Sequence, residues 1–175
     1  ADGLSRAIAA APRAWFVVDE GRFNGRYDAE FQQIVWDELD LVAAEREMLV
    51  FRSRSEHTAT ASDFVKHRAD FEDGISLVGH ALEPGELLPG NTLSLTLRWQ
   101  ARAPVGGSYT VFVHLLDDRG RLRSQVDAPP LGGLYPTTHW QPGHVLTDYY
   151  TLPLSADLEP GRYGLEVGLY DALSQ

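Results

Sequence analysis

A strict alternation of apolar and polar residues is the feature that most constrains how this chain can fold. It is clearest in NTLSLTLRWQ (91–100) and SYTVFVHLLD (108–117). Successive side chains of a β-strand point to opposite faces, so each segment predicts a strand with one apolar face. Antiparallel sheets that bury only one face show this pattern. The residues predicted to face the core are Leu93, Leu95, Leu97, Trp99, Tyr109, Val111, Val113 and Leu115.

Turn signals separate these segments and extend the pattern to residue 171. EPGE, LPGN, PVGG, DDRG, QPGH and EPGR punctuate a region whose other candidate strands are GISLVGHAL, RLRSQVDA, HVLTDYYTLPL and GRYGLEVGLYD. Short alternating strands with Pro-Gly turns are typical of two packed antiparallel sheets. We therefore predict a mainly β domain over residues 71–175, an antiparallel β-sandwich of the jelly-roll or immunoglobulin-like kind. RLRSQVDA is polar and is predicted to lie near a sheet edge.

The first third of the chain mixes helix and strand signals. LSRAIAAAP predicts a helix that ends at Pro12, and WFVVDEG predicts a short buried strand. Asp28 is a predicted N-cap for a helix over DAEFQQIVWDEL. LDLVAAEREMLVFRSR predicts a strand pair, Leu39–Ala43 and Met48–Arg52. We expect a small α/β segment over residues 1–52 that precedes the sandwich.

Composition also suggests how these parts are connected. SRSEHTATASDFVKHRAD is polar and threonine-rich, which predicts a linker over residues 53–70. The chain opens on ADGLSR and closes on YDALSQ, both within apparent elements of structure. We expect it to be a piece excised from a longer protein, with an open strand edge near its end.

Charge and composition exclude several classes of function. The formal net charge is −10, from 15 basic and 25 acidic residues. Nucleic acids and anionic membrane surfaces attract clustered Lys and Arg, so neither is a predicted partner. The chain has no cysteine, which excludes disulfides, thiolate catalysis and cysteine-based zinc sites.

No pattern of catalytic or metal-binding residues emerges. A nucleophile elbow, a phosphate-binding loop and a dinucleotide fingerprint are all missing, and the histidines lack the short spacings of zinc motifs. The acidic residues near DDRG suit either a calcium site or ordinary turn chemistry, and turn chemistry is the favoured interpretation. We predict no catalytic residue, metal or cofactor. The residues weighed were His80, His114, His139, His144, Asp117, Asp118 and Asp127.

Aromatic residues in and after the loop PPLGGLYPTTHWQPG form the only candidate binding site. Sugar-binding modules on sandwich folds use exposed aromatic rings with polar neighbours, and Trp140 between His139 and Gln141 suits that role. Trp140 also suits a plug that closes one end of the sandwich and fixes the loop, and this second interpretation is favoured. The candidate carbohydrate-binding residues are Tyr135, His139, Trp140, Gln141 and Tyr149.

The same motifs carry a resemblance to a known family. LSLTLRWQA, YTVFVHLLDDRG, YPTTHWQPGHVLTDYYTLPL and LEPGRYGLEVGLYD resemble the soluble C-terminal region of bacterial membrane glycosyltransferases of the protein-O-mannosyltransferase type, glycosyltransferase family 39. AWFVVDEGRF and LDLVAAEREMLVFRSR are similar to the last extracytoplasmic α/β stretch before that sandwich. The resemblance covers nearly the whole chain, and its motifs are strand and turn patterns without a catalytic signature.

The resemblance implies a role for the chain within a larger enzyme. The parent would be a multi-pass membrane protein that transfers a sugar from a lipid-linked phosphate donor, with inversion at the anomeric carbon. Its catalytic acids would lie in loops between membrane helices, which this chain does not contain. The chain itself would lie on the extracytoplasmic side of the cytoplasmic membrane, connected to it only through those missing helices, and would not be catalytic.

These observations leave several hypotheses about function. The leading one is a non-catalytic accessory domain of a membrane glycosyltransferase that binds a glycan or a lipid-linked sugar acceptor. A structural module that self-associates through an open edge strand is an alternative, as is a free-standing carbohydrate-binding module. A soluble glycosidase or esterase is disfavoured, since its motifs are missing from the sequence.

Overall fold

The computed structural model describes residues Arg6, Ala10, 14–53, 64–83 and 87–172. Within these ranges the chain is mainly β, and no helix there is long and apolar enough to cross a bilayer. The helix predicted over LSRAIAAAP lies outside the described residues, apart from Arg6 and Ala10. The elements are β1 (Trp15–Asp19), α1 (Glu20–Arg26), α2 (Ala29–Glu38), β2 (Leu39–Glu45), β3 (Met48–Ser53), β4 (Val65–Asp70), β5 (Ile75–Leu82), β6 (Thr92–Ala101), β7 (Tyr109–Leu116), β8 (Leu122–Ala128), β9 (Val145–Pro153) and β10 (Gly164–Asp171).

The predicted antiparallel sandwich is confirmed. One sheet has the strand order β4-β5-β6-β9 and the other has the order β10-β7-β8. The residues predicted to face the core are buried, except that Tyr109 is half-buried. Strand β8, predicted to lie near an edge, is an edge strand. Period-two alternation thus indicated the correct face of β6 and β7, because burial of that face fixes the register of a strand.

The segment before the sandwich forms a three-stranded antiparallel sheet with the order β1-β3-β2 and two helices. The predicted N-cap Asp28 is confirmed, since its Oδ1 accepts a hydrogen bond of 2.8 Å from the backbone N–H of Phe31. Such caps satisfy one of the N–H groups that a helix start leaves unpaired. The predicted strand pair is also present as β2 and β3.

Two features of this segment differ from the sequence prediction. Helix α1 was not predicted, because its two glycines obscure the helical pattern; Asp19 caps it at 2.9 Å and Phe23 anchors it in the core. Strand β1 was predicted to be buried, yet Trp15 and Val17 on one of its faces are exposed. Only the opposite face, with Val18, packs against the core.

The linker predicted over residues 53–70 is partly corrected by the structure. Residues 54–63 lie outside the described ranges, but Val65–Asp70 form strand β4, paired antiparallel with β5. Most β4 side chains are exposed, so the strand lacks an apolar face. Backbone hydrogen bonds along a sheet edge suffice to hold such a strand, and composition does not reveal it.

The α/β segment and the sandwich share one contiguous core. Gln33 on α2 binds the backbone of Val145 on β9 twice: its Nε2 donates to the carbonyl at 3.2 Å, and its Oε1 accepts from the N–H at 3.0 Å. The ring of Trp36 on α2 also lies 5.1 Å from the ring of Tyr135, between their centroids. Helix α2 is therefore packed against β9 and the loop that precedes it.

Candidate functional site

The loop that carries the predicted site packs as a plug. Trp140 is only 2% exposed, and its indole N–H donates to the carbonyl of Tyr135 at 3.1 Å. Tyr135 is 1% exposed and its hydroxyl donates to the carbonyl of His139 at 2.8 Å. Burial of Trp140 is what the plug interpretation predicts, and Tyr135 is buried beside it. Neither ring presents a face to solvent in this structure, so neither can stack on a sugar.

His139 and Gln141 lie at the rim of the plug. The Nδ1 of His139 is 3.0 Å from a carboxylate oxygen of Glu20, at the start of α1. The side-chain amide of Gln141 donates to the carbonyl of His139 at 3.2 Å. These contacts fasten the loop to the α/β segment and to itself. The contact with Glu20 brings His139 close to α1.

Tyr149, another of the predicted binding residues, borders a cavity. It lies on β9, is 42% exposed, and donates its hydroxyl to the carboxylate of Asp40 on β2 at 3.2 Å. The cavity beside it has a volume of about 240 Å³. It lies where the α/β segment meets the sandwich, because its lining comes from α2, β2, β9 and the plug loop. Lining residues include Trp36, Asp40, Leu131, Asp148 and Tyr149.

A buried carboxyl group also lines this cavity. Asp148 is 3% exposed, and burial raises its pKa to about 6. Its Oδ1 accepts the backbone N–H groups of Leu131, at 3.1 Å, and Tyr149, at 2.9 Å, while its Oδ2 accepts the hydroxyl of Tyr150 at 2.5 Å. Three donors thus occupy the carboxyl oxygens. This arrangement suits a group that positions the loop rather than one that transfers protons.

The sequence analysis missed both acidic residues of the cavity. Asp148 pairs in register with Leu97, a core-facing residue of β6. Aspartate is depleted in strand interiors, so an Asp at a core-facing position of DYYTLPL was the signal that could have identified it. No comparable signal exists for Asp40, because it reaches Tyr149 across 109 residues of chain.

The loop backbone beside Asp148 is in an unusual conformation. Leu131 has φ 53° and the following Gly132 has φ 62°, so a non-glycine residue occupies the left-handed region. That conformation is costly for a branched side chain and persists only where surrounding contacts hold it. The bond from the Leu131 N–H to Asp148 is one such contact. Residues held in this way cluster at binding sites, which supports the cavity as the candidate site.

The residues weighed for metal binding do not converge. Across the described ranges, no three His, Asp or Glu residues are arranged to hold a metal ion. Asp117 follows the turn interpretation, since its carboxylate accepts the backbone N–H groups of Arg119 and Arg121, and the hydrogen bond from Arg121 lowers its pKa. His114 lies between the carboxylates of Asp127 and Glu166, at 3.9 and 3.7 Å, on the outer face of its sheet.

Comparison of the chain with known protein families, with curated proteins and with solved structures found no match. The function is therefore inferred from the cavity beside Tyr149 and from the sequence motifs.

Proposed function

We propose that this chain is a non-catalytic glycan-binding domain whose site is the cavity beside Tyr149. The observation that carries the proposal is the combination of an exposed tyrosine ring with a carboxylate held at its hydroxyl, beside a cavity of about 240 Å³. Pockets for drug-sized ligands span roughly 300–1,000 Å³, so this one suits a smaller ligand, about one sugar unit of a glycan.

The chemistry of the lining favours a neutral sugar. An aromatic ring offers an apolar face to the C–H groups of a pyranose, and its hydroxyl offers a polar handle. The carboxylate of Asp40 accepts from the hydroxyl of Tyr149 and places a negatively charged acceptor beside the ring. Two carboxyl groups near the cavity and a net charge of −10 repel an anionic sugar.

We further propose that the domain serves a membrane glycosyltransferase, on the extracytoplasmic side, as the sequence resemblance implies. A small α/β segment followed by a β-sandwich is the order of elements expected from that resemblance. In that setting the cavity would hold a glycan or a lipid-linked sugar acceptor near the enzyme, and the transfer itself would take place in parts of the parent outside this chain.

The test is a glycan-array screen of the chain, followed by calorimetry on the best neutral hit. We expect Tyr149→Ala to weaken binding at least tenfold, because both the ring and its hydrogen bond to Asp40 are removed. Tyr149→Phe keeps the ring, so its affinity for the glycan should fall only a few-fold. Trp15→Ala, which removes an exposed ring on β1, is the matched control and should bind like the parent chain.

Either of two results would count against glycan binding in this cavity. One is the lack of any hit on the array for a chain shown to be folded by circular dichroism. The other is a hit whose affinity is equal in Tyr149→Ala and the parent chain, which would locate the sugar elsewhere on the surface.

A second candidate function, self-association, is favoured by the position of β10. This strand lies at the end of its sheet in the order β10-β7-β8. An edge strand presents unpaired N–H and C=O groups that can pair with another chain. Sedimentation velocity over a hundredfold range of concentration tests this function. A dimer would support it, and a monomer throughout would contradict it.

A further inference from the structure

A groove on the outer face of the four-stranded sheet concentrates basic side chains in an otherwise acidic protein. The chain carries a net charge of −10 and a single lysine, Lys66. That lysine lines a groove with a volume of about 390 Å³, together with two arginines and a histidine. We call this the basic groove. The residues that line it include Phe64, Lys66, His67, Arg68, Gly79 and Arg98.

The register of three neighbouring strands creates the groove. Lys66 on β4 pairs with Gly79 on β5, and Gly79 pairs with Arg98 on β6. Residues in register on adjacent strands share a face, and adjacent strands lie about 4.8 Å apart. Lys66 and Arg98 therefore flank a position that has no side chain. The side chain of Phe64 and the carbonyl of Val65 lie over Gly79, within 4.0 Å of where a Cβ would sit, and form the floor between the two cations.

Irregular pairing brings further residues to this place. The register of β4 against β5 shifts between Lys66 and Ala69, and that of β5 against β6 shifts between Leu77 and Gly79. Both shifts fall beside the groove, and His67 and Arg68 line it from the shifted stretch of β4. Bulges redirect side chains and are over-represented next to functional sites. Two of them at one groove are a second indication of a binding site.

The two arginines are held in place by fixed contacts. Arg98 Nη2 lies 2.6 Å from Asp37 Oδ1, and its guanidinium carbon lies 5.1 Å from the ring centroid of Phe64. Arg68 Nε lies 3.0 Å from Asp70 Oδ1. Each arginine thus shares its charge with an aspartate.

The ion pairs around the groove leave one of its cations over. Asp37 and Asp70 pair with the two arginines that line the groove, and Asp70 also approaches Arg102, which lies outside the lining, at 3.8 Å. Lys66 has no ion-pair partner within the described ranges and is exposed. Its positive charge therefore remains for a ligand.

We propose that the basic groove binds a phosphate monoester, with the phosphate between Lys66 and Arg98 and the organic part against Phe64. A phosphate monoester carries about two negative charges at neutral pH and several acceptor oxygens, whereas a carboxylate carries one charge. Lys binds phosphate as a point charge and Arg presents a planar fork of donors. The ring of Phe64 supplies an apolar contact for the esterified group.

Calorimetry of the 175-residue chain with phenyl phosphate, inorganic phosphate and benzoate tests the proposal. We expect phenyl phosphate to bind tightest, inorganic phosphate more weakly, and benzoate at least tenfold more weakly than phenyl phosphate. Affinity should fall as salt rises from 20 to 200 mM, because exposed charges are screened. Binding to phosphatidylcholine vesicles with phosphatidic acid would identify a lipid headgroup as the source, and binding to phenyl phosphate alone would identify a soluble ester.

Variants provide effects of opposite sign. Lys66→Ala should weaken the binding of phenyl phosphate about tenfold, since a charged hydrogen bond is lost. Asp70→Asn should tighten the binding of phenyl phosphate several-fold, because the negative charge paired with Arg68 is removed while the amide oxygen can still accept from Ser76. Arg119→Ala, an exposed arginine in the turn between β7 and β8, is the control and should leave affinity unchanged.

Three results would overturn the proposal: no binding of phenyl phosphate at 20 mM salt, equal affinity for benzoate, or unchanged affinity in Lys66→Ala. The glycan site is tested separately, because Tyr149→Ala should leave phenyl phosphate binding intact. Loss of glycan binding in that variant with retained phosphate binding would show two independent sites.

Discussion

We expect Trp140→Ala to lower the free energy of unfolding by about 3–5 kcal/mol, the range observed when a buried aromatic side chain is truncated in a protein core. The indole is almost fully buried, so its removal leaves a cavity in the plug. It also leaves the carbonyl of Tyr135 without its indole donor. The neighbouring ring of Tyr135 packs against Trp36 of α2. We therefore expect the substitution to weaken the contact between the loop and the α/β segment as well.

Urea unfolding monitored by far-ultraviolet circular dichroism measures this effect. Trp15→Ala is the matched control, since Trp15 is 60% exposed and its removal should change stability by less than about 1 kcal/mol. If Trp140→Ala unfolded at the same urea concentration as the control, the plug interpretation would be wrong. If the variant did not fold, Trp140→Phe would provide a milder truncation with a smaller, measurable loss.

The second large effect concerns Asp148 and pH. Burial raises the pKa of this carboxyl from 3.8 to about 6 in the folded state. Between these values the folded state holds a proton that the unfolded state has released, so stability falls as pH rises. The difference between the two pKa values corresponds to about 3 kcal/mol of unfolding free energy. This loss of stability is present above pH 6 and absent below pH 4.

Asp148→Asn should remove that penalty. The amide oxygen can still accept the N–H of Leu131, and the amide nitrogen can donate to the hydroxyl of Tyr150. We therefore expect the stability of the variant relative to the parent chain to rise by about 3 kcal/mol between pH 4 and pH 7.5. Urea unfolding of both proteins at several pH values measures the difference, which cancels the contributions of other groups.

Asp118→Asn is the control for this experiment, because Asp118 is exposed in a turn. Its stability relative to the parent chain should stay flat over the same pH range. A flat difference for Asp148→Asn as well would show that the carboxyl at position 148 ionises in the folded state as easily as in the unfolded one. That outcome would mean that the hydrogen bonds from Tyr150, Leu131 and Tyr149 offset the cost of burying the charge.

Much of the fold could be predicted from local patterns. The alternation in β6 and β7 identified the strands and their buried faces, and Asp28 marked the start of α2. Helix α1 and strand β4 escaped prediction for opposite reasons. The first carries two glycines that obscure its helical pattern, and the second carries polar residues that have no preferred face. In both, tertiary contacts outweigh weak local preference.

The candidate site was predicted only in part. The sequence singled out Tyr149 and the aromatic loop before its strand, because aromatic residues close together in the sequence are visible as a composition pattern. It did not identify Asp40, which meets Tyr149 across 109 residues. Of the aromatic residues proposed for binding, Tyr135 and Trp140 are buried, because the loop folds inward against α2 and satisfies its own polar groups.

The sequence by itself determined the class of fold and the location of most of its strands, since alternation and turn residues act over a few neighbouring positions. Net charge is likewise a property of composition, and it predicted that neither nucleic acid nor an anionic membrane surface is a partner. Only the tertiary structure decided where charges and cavities lie. Lys66, Gly79 and Arg98 are separated by 13 and 19 residues along the chain, yet strand register makes them neighbours. Long-range pairing of this kind leaves no trace in local composition, and it alone produces a positive groove on an acidic protein.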